Sequence, residues 1–163
     1  MDASQAAQVS TPSDRELRIT RTFDAPRQLV ADAFTRPELL QRWMGVFGDW
    51  SWLVCEVDLR EGGDYRYVWR RPDGTEMGLS GTYQEVVPGE RFVFTQVYEN
   101  TPEFPGEMVV TLVLSEQDGR TMAETTVRYA SREERDLDLQ QAPTGMEAGY
   151  AQLDSLLAAL RTG

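Results

Sequence analysis

Apolar and polar positions along the 163-residue chain change period several times. From Glu16, Leu17 and Ile19, with Phe23 beyond, alternate with Arg18, Thr20 and Arg21, the period-two pattern of a strand with one buried face. Asp24-Ala25-Pro26 stops it. Pro26 suits a first helical turn and Asp24 suits a cap. Leu29, Val30, Ala33 and Phe34 then recur at helical spacing over 26–35. A second short helix follows Arg36-Pro37, with Leu39, Leu40 and Trp43 on one side and Gly45 and Gly48 at its end.

The next eighty or so residues read as short strands punctuated by turn signals. Leu53, Cys55, Val57 and Leu59 alternate with polar neighbours, and Glu61-Gly62-Gly63-Asp64 turns the chain. Tyr65, Tyr67 and Trp69 alternate with Arg66, Val68 and Arg70, so one face is aromatic and the other carries two arginines. Pro72-Asp73-Gly74 is a tight-turn signal. A strand over 77–87 breaks near Gly81 and turns at Pro88-Gly89. Phe92, Phe94, Gln96 and Tyr98 share the following strand face. After an irregular acidic connection over 99–106, Met108, Val110, Leu112 and Leu114 alternate, and Asp118-Gly119 makes a hairpin with 121–130.

The C-terminal part is helical. Ser131 to Leu139 predicts a short charged helix, and Pro143-Thr144 opens a last helix of about five turns. On it Met146, Tyr150, Leu153, Leu157 and Leu160 form one apolar stripe. Residues 1–14 are small and polar and read as a disordered tail before a single domain over 15–163. Strand, two helices, a run of antiparallel strands and a long helix predict an α+β fold in which a sheet curls around the last helix. If the curl is deep, a cavity lies between them.

Composition narrows the chemistry. The chain has no His, and its 16 basic residues are all Arg, which excludes His-based acid–base work, His-ligated metals and Lys Schiff bases. The formal net charge of −11 opposes a nucleic-acid backbone or an anionic membrane surface, and no apolar run reaches spanning length. We therefore expect no nucleic-acid partner and no membrane insertion. Cys55 is the single cysteine and forms no internal disulfide. The N-terminus has neither the basic start nor the apolar stretch of a signal peptide, so the cytoplasm is the default location. No acidic spacing is diagnostic of a metal, and Gly62-Gly63 lacks the phosphate-loop and dinucleotide patterns. No cofactor and no metal are expected.

Phe23-Asp24-Ala25-Pro26-Arg27, Ala33-Phe34-Thr35, Pro37-Glu38-Leu39 and Arg42-Trp43-Met44-Gly45 follow one another at characteristic spacing. So do Asp58-Leu59-Arg60-Glu61-Gly62-Gly63, Pro72-Asp73-Gly74, Gly81-Thr82-Tyr83, Pro88-Gly89-Glu90-Arg91-Phe92-Val93-Phe94 and the closing Gly149-Tyr150. In this order they resemble the heat-shock-protein ATPase activator homologue family of the START-like (birch-pollen-allergen-like, SRPBCC) superfamily, from about Glu16 to Leu160. The resemblance implies the helix-grip fold, a curved antiparallel sheet gripping a long C-terminal helix around an internal apolar cavity. Two departures are visible. Val46-Phe47-Gly48 stands where the family commonly has a proline soon after Trp-x-Gly, and Tyr150 stands where it usually has Trp.

Candidate residues follow from that geometry. Tyr65, Tyr67, Trp69, Tyr83 and Phe94 on the middle strands, with Met108, are candidates to line the cavity, and Met146, Tyr150 and Leu153 to face them from the last helix. Trp43 is a candidate to close one end. Trp50 and Trp52 flank a loop and read either as an entrance or as a patch against a neighbouring chain, which leaves a homodimer open. Arg66 and Arg70 belong outside if the aromatics point in. Glu85 and Glu124, in strands, are either exposed or cavity-facing bases. No residue pair has the spacing of a catalytic dyad. The expected function is binding of an apolar or amphipathic small molecule. The alternatives are an enzyme of cyclase, dehydratase or hydrolase type in the same cavity, and a co-chaperone-like protein-binding domain.

Overall fold

The computed structural model describes residues 7–44, 48–99 and 101–162, the side chains of 141–146 and of residue 162 excepted. Eight strands form one antiparallel sheet in the order β1-β2-β8-β7-β6-β5-β4-β3. They are β1 (Gln8–Ser10), β2 (Glu16–Phe23), β3 (Ser51–Val57), β4 (Asp64–Arg70), β5 (Glu76–Val87), β6 (Arg91–Glu99), β7 (Met108–Gln117) and β8 (Arg120–Arg128). Between β2 and β3 run α1 (Arg27–Thr35) and α2 (Pro37–Trp43), and α3 (Arg132–Thr162) closes the chain. This is the helix-grip arrangement: a curved antiparallel sheet, two short helices after its early strands, and a long C-terminal helix across one face.

Three expectations change. Gln8–Ser10, inside the stretch expected to be a tail, pairs with Thr20–Arg18 as an edge strand with all three residues exposed. The expected break at Pro143 is absent, and α3 runs on from Arg132 to Thr162. Proline removes one backbone donor, a loss that a helix held by packing at both ends tolerates. Asp24 does not cap α1 either. Pro26 occupies the cap position, and the Glu116 carboxylate of β7 accepts from the Arg27 backbone N–H at 2.7 Å instead.

Along β3 a bulge falls between Trp52 and Val54. It turns Leu53 outward, 48% exposed, while Cys55 and Val57 pack against the core, so the expected common face of 53, 55, 57 and 59 is broken. Leu59 lies beyond the strand and is exposed. A further opening sits near Gly81, where a break is expected. Between the pairs Ser80–Val97 and Tyr83–Phe94 the β5–β6 ladder opens without a change of register, and the register itself shifts between Tyr83 and Glu85. Thr82 N–H donates to Thr95 Oγ1 at 2.9 Å, and the Tyr65 hydroxyl donates to the Thr95 carbonyl at 2.7 Å. A Cβ on Gly81 would stand 1.9 Å from that carbonyl oxygen and 2.9 Å from the Tyr65 ring, so only glycine lets the tyrosine reach it.

The sheet's inner face and α3 enclose the core. Leu17, Ile19, Arg21 and Phe23 of β2 all point inward. Leu153, Leu156 and Leu157 of α3 are buried, as the stripe predicts for 153 and 157.

Candidate ligand site on the inner face

Alternation along β4 puts Tyr65, Tyr67 and Trp69 on the inner face, each at most 7% exposed. Their cross-strand neighbours extend the aromatic surface. Trp52 of β3 opposes Trp69 with ring centroids 4.7 Å apart and meets Tyr67 edge-on at 5.7 Å. Tyr65 lies 5.6 Å from both Tyr83 of β5 and Phe94 of β6, which are themselves 5.7 Å apart. Six rings from four strands therefore form one continuous wall, in the edge-to-face and tilted geometries that aromatic quadrupoles favour. Trp52 belongs to this wall rather than to an exposed patch. Its indole N–H donates to the Met44 carbonyl at 2.9 Å. Trp50 remains at the rim, with the Arg71 guanidinium 5.1 Å from its ring centre.

The polar tips on the wall are mostly satisfied. Tyr65 reaches Thr95, and Tyr67 and Tyr83 stand close enough for each to shift the other's ionisation. Burial pushes Tyr83 up to about 12 and Tyr65 and Tyr67 well above the ordinary phenol value. At neutral pH these hydroxyls are donors and acceptors, not bases. Trp69 differs: its Nε1 is buried and has no hydrogen-bond partner. Cys55, beside the wall, is held up to about 11 by burial and is correspondingly unreactive.

The remaining candidates group elsewhere. Trp43 packs 5.1 Å from Phe34 and donates to the Ala33 carbonyl at 2.8 Å, tying α2 to α1. Tyr150 meets Phe23 edge-on at 5.3 Å, with Leu153 fully buried near it on α3. Burial raises Tyr150 to about 12, with the neighbouring Thr125 hydroxyl opposing the shift. Met108 is fully buried on β7 and accepts from Gln96 Nε2 at 3.9 Å. Met146 lies outside the described side chains. The outer face carries the charges. Arg66 forms a two-point pair with Glu99 at 2.9 and 3.1 Å, Glu85 pairs with Arg91, and Glu124 pairs with Arg18 at 3.8 Å. Glu85 and Glu124 are thus surface residues, and an open hollow of about 460 Å³ on that side is lined by Glu56, Asp64, Arg66, Ser80, Thr82 and Glu107, among others.

Two features escape the sequence reading. Arg21 shares the inner face with Leu17 and Ile19 at 5% exposure. Asp154 of α3 receives its guanidinium at 2.9 and 2.6 Å, and the Phe23 ring lies 4.8 Å away. Strict alternation signals the position; the charge argues against it. The other is a polar group at the start of α3. The Tyr129 hydroxyl, on a side chain 2% exposed, donates to Asp138 Oδ2. Burial, and after it the Asp138 charge, raise Tyr98 of β6, whose ring packs 5.0 Å from Phe104. Burial raises the Asp138 carboxyl above its ordinary range, with the Tyr129 bond opposing that shift. Neither Tyr129 nor Asp138 stands in a motif, and only their fold neighbours reveal them.

The family model described as "Activator of Hsp90 ATPase homolog 1-like protein" matches residues 24–158. No curated protein matches. A crystal structure of a Rhodobacter sphaeroides protein is similar at 33% identity and a TM-score of 0.86, covering 94% of this chain and 99% of that one. A Nitrosomonas europaea protein is 26% identical with a TM-score of 0.77, over 92% of this chain and 98% of its own. A Chromobacterium violaceum protein is 25% identical with a TM-score of 0.73, over 89% and 98%.

Proposed function

The chain belongs to the activator of Hsp90 ATPase homolog 1-like family, and we propose that this member binds a hydrophobic or amphipathic small molecule against the aromatic wall of its inner sheet face. The observation that carries the reading is Trp69. Its indole N–H is buried in a six-ring apolar surface without an acceptor. Leaving such a donor unsatisfied costs about 1–3 kcal/mol, and a ligand acceptor would recover that cost. Ring faces supply contact area at little conformational cost, and a few polar tips orient the occupant. The raised tyrosines and the absence of histidine favour binding without turnover.

Calorimetric titration with 2-naphthalenemethanol, a flat neutral probe with one polar group, tests this. Trp69→Ala is expected to weaken binding about tenfold or more, as for a buried aromatic anchor. Trp69→Phe, which keeps a ring and removes the N–H, should fall between. Equal affinity in all three proteins, or no binding by the wild type, would overturn the reading.

A further inference from the structure

We propose that Asp138, with Tyr129 and Tyr98, forms the polar end of this site, and that the ligand's polar group there is a protonated amine. The inference rests on the reading that the aromatic wall binds a small molecule. Its placement comes from three elements. On α3, Asp138 and the buried Leu156 are about five turns apart at 3.6 residues per turn, so the carboxylate stands on the helix's core-facing side. Just past β8, Tyr129 donates its hydroxyl to that carboxylate. On β6, Tyr98 lies opposite Leu79, which lies opposite Tyr67, so Tyr98 continues the inner face of the wall. Burial, and after it the Asp138 charge, raise Tyr98, and its ring packs against Phe104. Tyr98 thus stands, by register, on the wall's face at the end toward the carboxylate.

The neighbouring cations are committed elsewhere. Arg135 spends Nη1 on the carbonyls of Ser13 and Glu16 at 2.6 and 3.2 Å, and Nε on Asp136 at 2.9 Å. Arg21 is held by Asp154, and Arg66 is on the outer face with Glu99. A ligand carboxylate reaching this end would meet a carboxylate, and among the described residues the nearest guanidinium, that of Arg135, is already paired with Asp136. An ammonium would find a charged acceptor in Asp138 and electron-rich ring faces beside it, two interactions that both strengthen on desolvation.

Three probes with one ring system separate the possibilities: 2-naphthylmethylamine, 2-naphthalenemethanol and 2-naphthoate, titrated into the full chain at physiological salt. The amine is expected to bind about tenfold tighter than the alcohol, as one charge-assisted hydrogen bond allows, and the naphthoate most weakly. Asp138→Asn should erase the difference between amine and alcohol. General attraction of a cation to a protein of net charge −11 would survive that single change, so a preference persisting in Asp138→Asn overturns the proposal. If the alcohol binds and the amine is not favoured, the proposal fails while the aromatic-wall reading stands. If no probe binds, both fail. Should Asp138→Asn not fold, Asp138→Ser removes the charge with a smaller side chain and is expected to erase the difference in the same way; a preference that survives there overturns the proposal equally.

Discussion

Burial pushes the Asp138 carboxyl above the usual carboxylate range, and the Tyr129 hydroxyl pulls it back only in part. Unfolded, the same group ionises near pH 4. Between those two values the folded chain holds a proton that the unfolded chain has lost. Stability therefore falls as pH rises through the window and stays lower above it. Asp138→Asn cannot ionise, yet its amide oxygen can still accept from Tyr129. Thermal melts should show the variant gaining on the wild type at neutral pH and losing that advantage below about pH 4. A variant less stable than the wild type at neutral pH, with the deficit shrinking below about pH 4, would mean that the ionised hydrogen bond outweighs the burial. A carboxylate kept where it costs stability fits a residue retained for binding. Nothing in the local sequence announces it. Leu-Asp-Leu in a charged stretch reads as a solvated helix, and Asp138 acquires its surroundings only when β6, β8 and α3 converge.

At the scale of elements, α3 is fastened to β2 along its length by charged side chains. Arg135 holds the carbonyls of Ser13 and Glu16 at the strand's start, Asp154 holds Arg21 near its end, and Arg161 donates to the Asp24 carbonyl just beyond at 2.7 Å. The apolar stripe made α3 legible as the gripped helix, and alternation made the inward set of β4 legible down to the side chain. What stayed hidden is what depends on partners far along the chain. Arg21 belongs inside only because Asp154, 133 residues away, meets it and Ala123 opposite leaves room. Pro143 looked like a helix start because its cost is local and visible, whereas the packing that offsets it is not. The middle pair gives a prediction. Asp154→Ala strands a guanidinium that is 5% exposed. Because the Asp154 side chain is 34% exposed and solvent already screens the pair, we expect a loss of about 2–3 kcal/mol, below the range for a fully buried partner. Arg21→Met combined with Asp154→Leu removes both charges and should recover most of it. Denaturant unfolding of the three proteins decides, and a double variant as unstable as Asp154→Ala would show that the pair matters for more than mutual neutralisation.

For the whole molecule, the sheet divides two environments: rings on the α3 side, and paired charges such as Arg66–Glu99 on the other. No helix among the described residues is long and apolar enough to cross a membrane. An occupant of the inner face stabilises only the folded state, so its effect is set by mass action. A neutral probe at a hundred times its dissociation constant adds about 2.7 kcal/mol. At about 2–4 °C per kcal/mol for a chain of this size, the melting temperature should rise by about 5–10 °C. The two faces predict different responses. Arg66→Ala, on the outer face, should leave the shift with 2-naphthalenemethanol intact, whereas Trp69→Ala at the same probe concentration should lose about half of it or more. Because that probe is uncharged and its contacts are buried, raising the salt should not diminish the shift, although the net charge of −11 makes any surface attraction salt-sensitive. A shift abolished by salt or by Arg66→Ala would place the probe in the outer hollow lined by Glu56, Asp64 and Arg66 and take it away from the aromatic wall.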